Sequence, residues 1–209
     1  LANIPQAPFN SLYVQVDSCF SDSVKVGTVD LYLDTSYRPD HHRIISARVA
    51  SIPRRIDKRH HSIGSITPTV CVGELVYFHY GVLTNENKLE HEGEVYYRLD
   101  YDAVFCRVVD GNIKMVGSWV LAEPMYGDDV QEVELSKGVM GRARLSPSGL
   151  VIDASPSPLQ NRAILKHIGE NDFSLGGGES IWISSDCNFE NEIEGSTFWT
   201  FRQEDIIAV

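Results

Sequence analysis

The chain holds few of the features that would commit it to catalysis or to a membrane. Its four cysteines, Cys19, Cys71, Cys106 and Cys187, are scattered through 209 residues with no Cys-x-x-Cys pair. That spacing argues against a disulfide framework or a zinc knuckle and predicts reduced thiols, mostly in the core. No apolar run approaches the roughly 20 residues of a membrane-spanning helix. The opening residues, Leu1-Ala2-Asn3-Ile4-Pro5, lack a basic-then-apolar signal pattern, so a cytoplasmic home is expected. No Gly-x-Ser-x-Gly elbow occurs. Gly176-Gly177-Gly178 lacks the Gly-Lys-Ser/Thr of a phosphate loop and leads into a strand-like run, which argues against nucleotide binding. Six of the seven histidines fall between His41 and His91, including the pairs His41-His42 and His60-His61. Neighbours on a strand face opposite ways, so such pairs rarely hold one ion, and no metal site is expected. No catalytic constellation is visible, so neither an enzyme nor a cofactor is expected.

Positive charge is also scarce. Eighteen basic against 29 acidic residues give a formal charge of −11, which disfavours nucleic acid as a partner. The imbalance is uneven, because Arg38 to His60 carries a local +5 while the remainder carries −16. An acidic body with one basic segment suits association between repeated units as well as it suits an anionic ligand.

What is present is strand after strand. Ser11–Asp17 and Thr28–Asp34 alternate apolar and polar residues, with Val29, Leu31 and Leu33 on one face of the second run. Ile44–Ile52, Glu74–Tyr80, Val95–Leu99 and Ala103–Val109 follow, punctuated by Gly, Pro, Asn and Asp. No 3.6-residue period persists beyond two turns, so the fold class is read as all-β.

The chain also repeats itself. Asn3-Ile4 with Leu12 to Val16 has a counterpart in Asn112-Ile113 with Trp119 to Ala122. Val49 to Pro53 matches Leu165 to Gly169, and Val72 to Phe78 matches Gly177 to Ile183. Tyr101 to Phe105 matches Glu204 to Ala208. Matches in one order predict two copies of a single unit, 1–110 and 111–209, joined near Asp110-Gly111. Trp119, Trp182 and Trp199 fall in strand-like runs and are read as buried in a core or interface.

The most informative stretch is Ser146-Pro147-Ser148-Gly149-Leu150-Val151-Ile152. Turn-forming residues lead into an aliphatic triplet, and the proline-rich run Asp153 to Pro158 then returns to loop composition. An apolar triplet beside a solvated loop is either a strand end or a hook offered to a partner.

This stretch resembles the mobile loop of the GroES-type co-chaperonins, in which a Gly-led aliphatic triplet enters an apolar groove on the chaperonin ring. Each half also follows that family's order: Asn-Ile and a first strand, a loop, a roof hairpin, Val-Gly-Glu or Gly-Glu before an apolar strand, and a closing Glu-Asp-Ile-Ile-Ala or Tyr-Asp-Ala-Val element. The resemblance implies two tandem GroES-like, partly open β-barrels. It implies a lid for a nucleotide-bound chaperonin ring, assisting protein folding and docking through Gly149, Leu150, Val151 and Ile152. It further implies a homo-oligomer in which terminal edge strands pair with the first strand of a neighbour. The basic roof, Arg54 to Thr69, and its short acidic counterpart, Glu170 to Leu175, would interleave around that ring. The first copy's loop, Val26 to Ile44, departs from the pattern, since Val29-Asp30-Leu31 places a carboxylate mid-triplet. Burying it unpaired would cost several kcal/mol. Val29, Leu31 and Leu33 are therefore the weaker docking set. Either Leu31-Tyr32-Leu33 docks in a shifted register or this loop does not dock. A second reading keeps the scaffold and its assembly edges but no chaperonin: a non-enzymatic architectural or binding module. GroES-like barrels also occur in zinc-dependent medium-chain dehydrogenases, but those require a Gly-x-Gly-x-x-Gly half that this chain lacks.

Overall fold

The computed structural model describes residues 4–16, 20, 23–26, 29–32, 43–56, 69–136, 139–153, 156–169, 175–184 and 189–209. At 23–26, 29–30, 135–136, 139–140 and 152 the backbone alone is described. Two compact units emerge, Leu1–Trp119 with Gly169–Phe173, and Val120–Ile168 with Ser174–Val209. Both are antiparallel β-structures. Among the described residues no helix exceeds a three-residue 3-10 turn, and none is long and apolar enough to cross a membrane.

The first unit contains β1 (Ser11–Gln15), β2 (Ser23–Val26), β3 (Val29–Tyr32), β4 (Ser46–Ser51) and β5 (Leu75–Phe78). It continues with β6 (Lys88–His91), β7 (Glu94–Asp100), β8 (Val104–Val109) and β9 (Asn112–Met115). The second follows with β10 (Trp119–Pro124), β11 (Val130–Ser136), β12 (Val139–Leu145), β13 (Val151–Asp153) and β14 (Arg162–Ile168). It ends with β15 (Ser180–Ile183), β16 (Phe189–Ile193), β17 (Ser196–Arg202) and β18 (Ile206–Ala208). One sheet runs β6-β7-β1-β4-β5-β8-β9 and the other β16-β17-β10-β14-β15-β18. β11-β12-β13 and β2-β3 form smaller sheets, and among the described residues no sheet closes on itself.

The two large sheets share one strand order, and their backbones repeat in detail. Gly73 N–H donates to Val49 O at 2.8 Å, and Gly178 N–H donates to Leu165 O at 2.7 Å. Both glycines sit at positive φ, 88° and 96°, where a Cβ would be strained. The next residue, Glu74 or Glu179, accepts with its carboxylate from the N–H three residues back, Cys71 at 2.8 Å and Gly176 at 3.1 Å. Bulges recur between Tyr13 and Val14 opposite β4, and between Leu121 and Ala122 opposite β14. The hairpins β6-β7 and β16-β17 both turn on Glu-Gly with two positive φ values, Glu92-Gly93 and Glu194-Gly195.

This shared geometry corrects two of the sequence pairings by one residue. Val14 lies opposite Val49 and Ala122 opposite Leu165, so Leu12 matches Val120 rather than Trp119. His79 N–H donates to Ala103 O where Ser184 N–H donates to Asp205 O, so Ala103 matches Asp205 and Phe105 matches Ile207. The boundary differs too. Asp110-Gly111 is a tight turn with φ of 51° and 74° that folds β9 back onto β8. Residues 111–119 therefore belong with the first unit, because strand pairing outweighs the turn composition that suggested a junction.

Each unit has its own core. In the first, Leu12, Val14, Val49, Val76, Phe78, Tyr97, Leu99 and Val104 are buried together. In the second, Val120, Ala122, Ala163, Leu165, Ile181, Ile183, Trp199 and Phe201 are. The bulge pair Val14/Val49 becomes Ala122/Leu165, an aliphatic pair smaller by one carbon. Trp199 is buried as read from the sequence, whereas Trp182 is half exposed. Cys106 is buried and Cys71 exposed, with neither in a disulfide, which moves one thiol out of its expected core position. His41, His42, His60 and His61 lie outside the described residues, as do Cys19, Cys187 and most of both roof segments.

Phe78 is fully buried, so Phe78→Ala is expected to cost about 3–5 kcal/mol in urea unfolding. Burial lowers the pKa of His79 below its ordinary 6.5, and burial followed by Lys166 lowers that of His167. The unfolded chain thus binds protons that these folded sites resist, and stability is lost as pH falls through 6.5 toward the depressed values. The urea midpoint is expected to fall between about pH 7 and pH 5 and to fall less in His79→Asn/His167→Asn.

Candidate partner-docking site

The meander β11-β12-β13 carries the aliphatic triplet. β11 and β12 pair from Val130↔Arg144 to Ser136↔Val139, and β13 adds to β12 through Arg144↔Asp153 and Leu145↔Val151. Between β12 and β13 the chain reverses over Ser146 to Leu150. Ser146 N–H donates to Leu150 O at 2.8 Å, and Gly149 N–H donates to Ser146 O at 2.8 Å. Ser146 Oγ accepts from Leu150 N–H at 3.0 Å and lies 2.9 Å from Ser148 Oγ. Gly149 takes φ of 82°, with nothing within 4 Å of where a Cβ would stand. The glycine is required for the direction of the chain and not for space.

The effect is to hold Leu150 and Val151 outward. Leu150 is 68% exposed and Val151 52% exposed, against the usual fate of aliphatic side chains. Ile152 lies within β13, its backbone alone described. From Leu145 to Ile152 the chain carries no charge. The charges that flank this run are Arg144 and Asp153, cross-strand neighbours on β12 and β13. Arg144 Nε is 3.1 Å from Asp129 Oδ2, and the Arg142 guanidinium stacks over Tyr126 at 4.5 Å. An open groove of about 630 Å³, lined by Asp129, Gln131, Leu145, Ser146, Pro147 and Gly149, runs along the turn. Chemically the tip can do one thing, which is to desolvate against another apolar surface. Burying Leu150 and Val151 fully would contribute about 1.5–3 kcal/mol for each side chain, less the fraction already covered.

No protein-family model matches the chain, and no curated protein does.

The first unit's counterpart is a two-stranded hairpin, β2-β3, paired from Ser23↔Tyr32 to Val26↔Val29. Its register sets Asp30 opposite Lys25. Leu31 and Tyr32 are exposed. Leu33 lies outside the described residues, and of Val29 only the backbone is described.

Other exposed apolar positions were not singled out by sequence: Phe9 and Val72 in the first unit, and Phe189, Ile207 and Val209 in the second. Only the corrected register of the repeat shows that Ile207 stands where the buried Phe105 does. Among the described residues no three His, Cys, Asp or Glu side chains converge as metal ligands.

Gly149→Ala forces a side chain into the left-handed region and is expected to destabilise the turn by about 1 kcal/mol. Amide exchange at Ser146 and Leu150 is expected to quicken while the Gly178 amide stays protected.

Proposed function

We propose that the chain is a tandem co-chaperonin-like lid, two GroES-like barrels that dock on a nucleotide-bound chaperonin ring and assist folding. Docking is through Gly149, Leu150, Val151 and Ile152. The observation that carries this reading is the uncharged hairpin tip that projects Leu150 and Val151 into solvent. The shared strand order of the two large sheets supports a duplicated unit, as such a lid would have. On this reading the protein has no catalytic chemistry and takes no cofactor. Its chains assemble with one another through sheet edges, in the cytoplasm. One tip gives a weak contact because immobilising it costs entropy, and several tips on one assembly make capture effective.

One observation favours the second reading, a non-enzymatic architectural module without a chaperonin. Asp30 lies within the hairpin of the first unit, where a docking triplet would have to be apolar. In the lid reading that hairpin is idle.

The deciding experiment is sedimentation of the chain with and without a chaperonin and nucleotide. Val151→Asp is expected to weaken capture ~100-fold or more, about 3 kcal/mol, with the fold unchanged by circular dichroism. Leu31→Asp is expected to change capture less than twofold. Undiminished capture by Val151→Asp, or no capture by the parent chain, removes the lid reading and leaves the architectural one.

A further inference from the structure

Ser146-Pro147-Ser148-Gly149 has the residue order of a type I turn closed by a left-handed glycine: serine first, proline second, glycine fourth. Proline fixes its own φ and holds the residue before it extended. Gly149 takes the φ of 82° that the fourth position asks for. A mobile loop is what the resemblance implies here, and the structure shows a closed turn instead. Leu145↔Val151 is the last strand pair before it. Beyond that pair, Ser146 and Leu150 are joined twice. Ser146 N–H donates to Leu150 O at 2.8 Å, and Leu150 N–H donates back to Ser146 Oγ at 3.0 Å. In a regular antiparallel pair the return bond would end on the Ser146 carbonyl. That carbonyl accepts Gly149 N–H across the turn, and the hydroxyl takes its place. Packing contributes little, because Pro147, Ser148, Gly149 and Leu150 are all exposed and an open groove runs along one side. Hydrogen bonds and the turn residues themselves hold the tip.

We infer that Ser146 is the positioning residue of the docking tip, its hydroxyl setting Leu150 in its outward pose before a partner arrives. This rests on the docking role proposed for the triplet. Ser146 acts through the Leu150 N–H and not by touching the partner. The Ser148 hydroxyl, 2.9 Å from Ser146 Oγ, gives a second and lesser support. The surface this tip fits is an apolar groove that receives a ready-made hairpin. A tip already turned loses less main-chain freedom on docking than a segment that must first be ordered. What is still lost is the side-chain freedom of Leu150 and Val151 and the motion of the tip as a whole.

The test joins amide exchange in the free full-length chain to capture by a nucleotide-bound chaperonin in sedimentation. Ser146→Ala removes the acceptor, and Ser146→Asn restores a side-chain oxygen suited to the same turn position. The Leu150 amide of the parent is expected to exchange more slowly than in an unstructured peptide. Ser146→Ala is expected to quicken it about fivefold, the weight of one net hydrogen bond, and Ser146→Asn to return it toward the parent rate. The Gly178 amide and the urea midpoint are expected to stay as in the parent, which marks the change as local. Capture is expected to weaken about fivefold in Ser146→Ala and to recover in Ser146→Asn. Val151→Asp is expected to keep the slow Leu150 amide while losing capture, which separates the turn from the contact. A parent whose Leu150 amide exchanges at the unstructured rate overturns the inference. So does Ser146→Ala captured as well as the parent, and so does Ser146→Asn that restores neither readout. A parent that is not captured, yet shows a slow Leu150 amide quickened by Ser146→Ala, removes the lid reading alone and confirms the hydroxyl's hold on the tip.

Discussion

One backbone bond recurs where each large sheet takes its register: the N–H of a left-handed glycine meeting the carbonyl of the strand that preceded it. Gly73 to Val49 and Gly178 to Leu165 place β5 beside β4 and β15 beside β14. A slip of one residue at either point would turn every inward side chain of the incoming strand to solvent. Val76 and Phe78 would leave one core, and Ile181 and Ile183 the other. The glutamate after each glycine closes the turn by accepting an N–H three residues earlier, so a two-residue signature sets a strand. In the first unit Glu74 has a further task, accepting from Arg107 Nη1 at 2.8 and 3.0 Å across to β8. At the position of Arg107 the second unit has Val209, an aliphatic residue in place of a cation.

With register held in this way, the two units could diverge in side chains without diverging in path. Aliphatic pairs traded volume across the bulge, and the aromatic at Phe78 became Ile183 while Leu99 became Phe201. Close-packed interiors tolerate such exchanges when total volume and pattern are kept. Surfaces obey no such restraint. The β8 edge is sealed by β9 and Trp119, while its twin offers Ile207 and Val209 to solvent. One hairpin tip is uncharged and aliphatic, and the other has Asp30 opposite Lys25.

Much of this was open to reading from the residues. Alternation in Ser11 to Gln15 marked β1 because period-2 patterning reports a half-buried strand directly. The Gly-Glu signatures paired correctly across the repeat because a left-handed turn tolerates little but glycine. The turn before the aliphatic triplet was legible because Ser-Pro-Ser-Gly is turn-forming and Gly149 supplies the positive φ. The closing element was misaligned by one residue because Tyr101-Asp102-Ala103 and Gln203-Glu204-Asp205 share an aspartate but at different positions of the same 3-10 turn. In the second the Asp205 carboxylate accepts from Arg202 N–H at 2.9 Å, a bond for which Ala103 has no side-chain oxygen.

By itself, then, the order of amino acids determined the β class, the repetition of one unit, and the outward aliphatic tip, because each depends on neighbours within a few residues. Only the tertiary structure decided that residues 111–119 close the first unit instead of opening the second, and that Ile207 is bare where Phe105 is covered. Burial is a property of what lies on top of a residue. For an edge strand the covering piece comes from a distant part of the chain, or from another chain, and no local pattern records it.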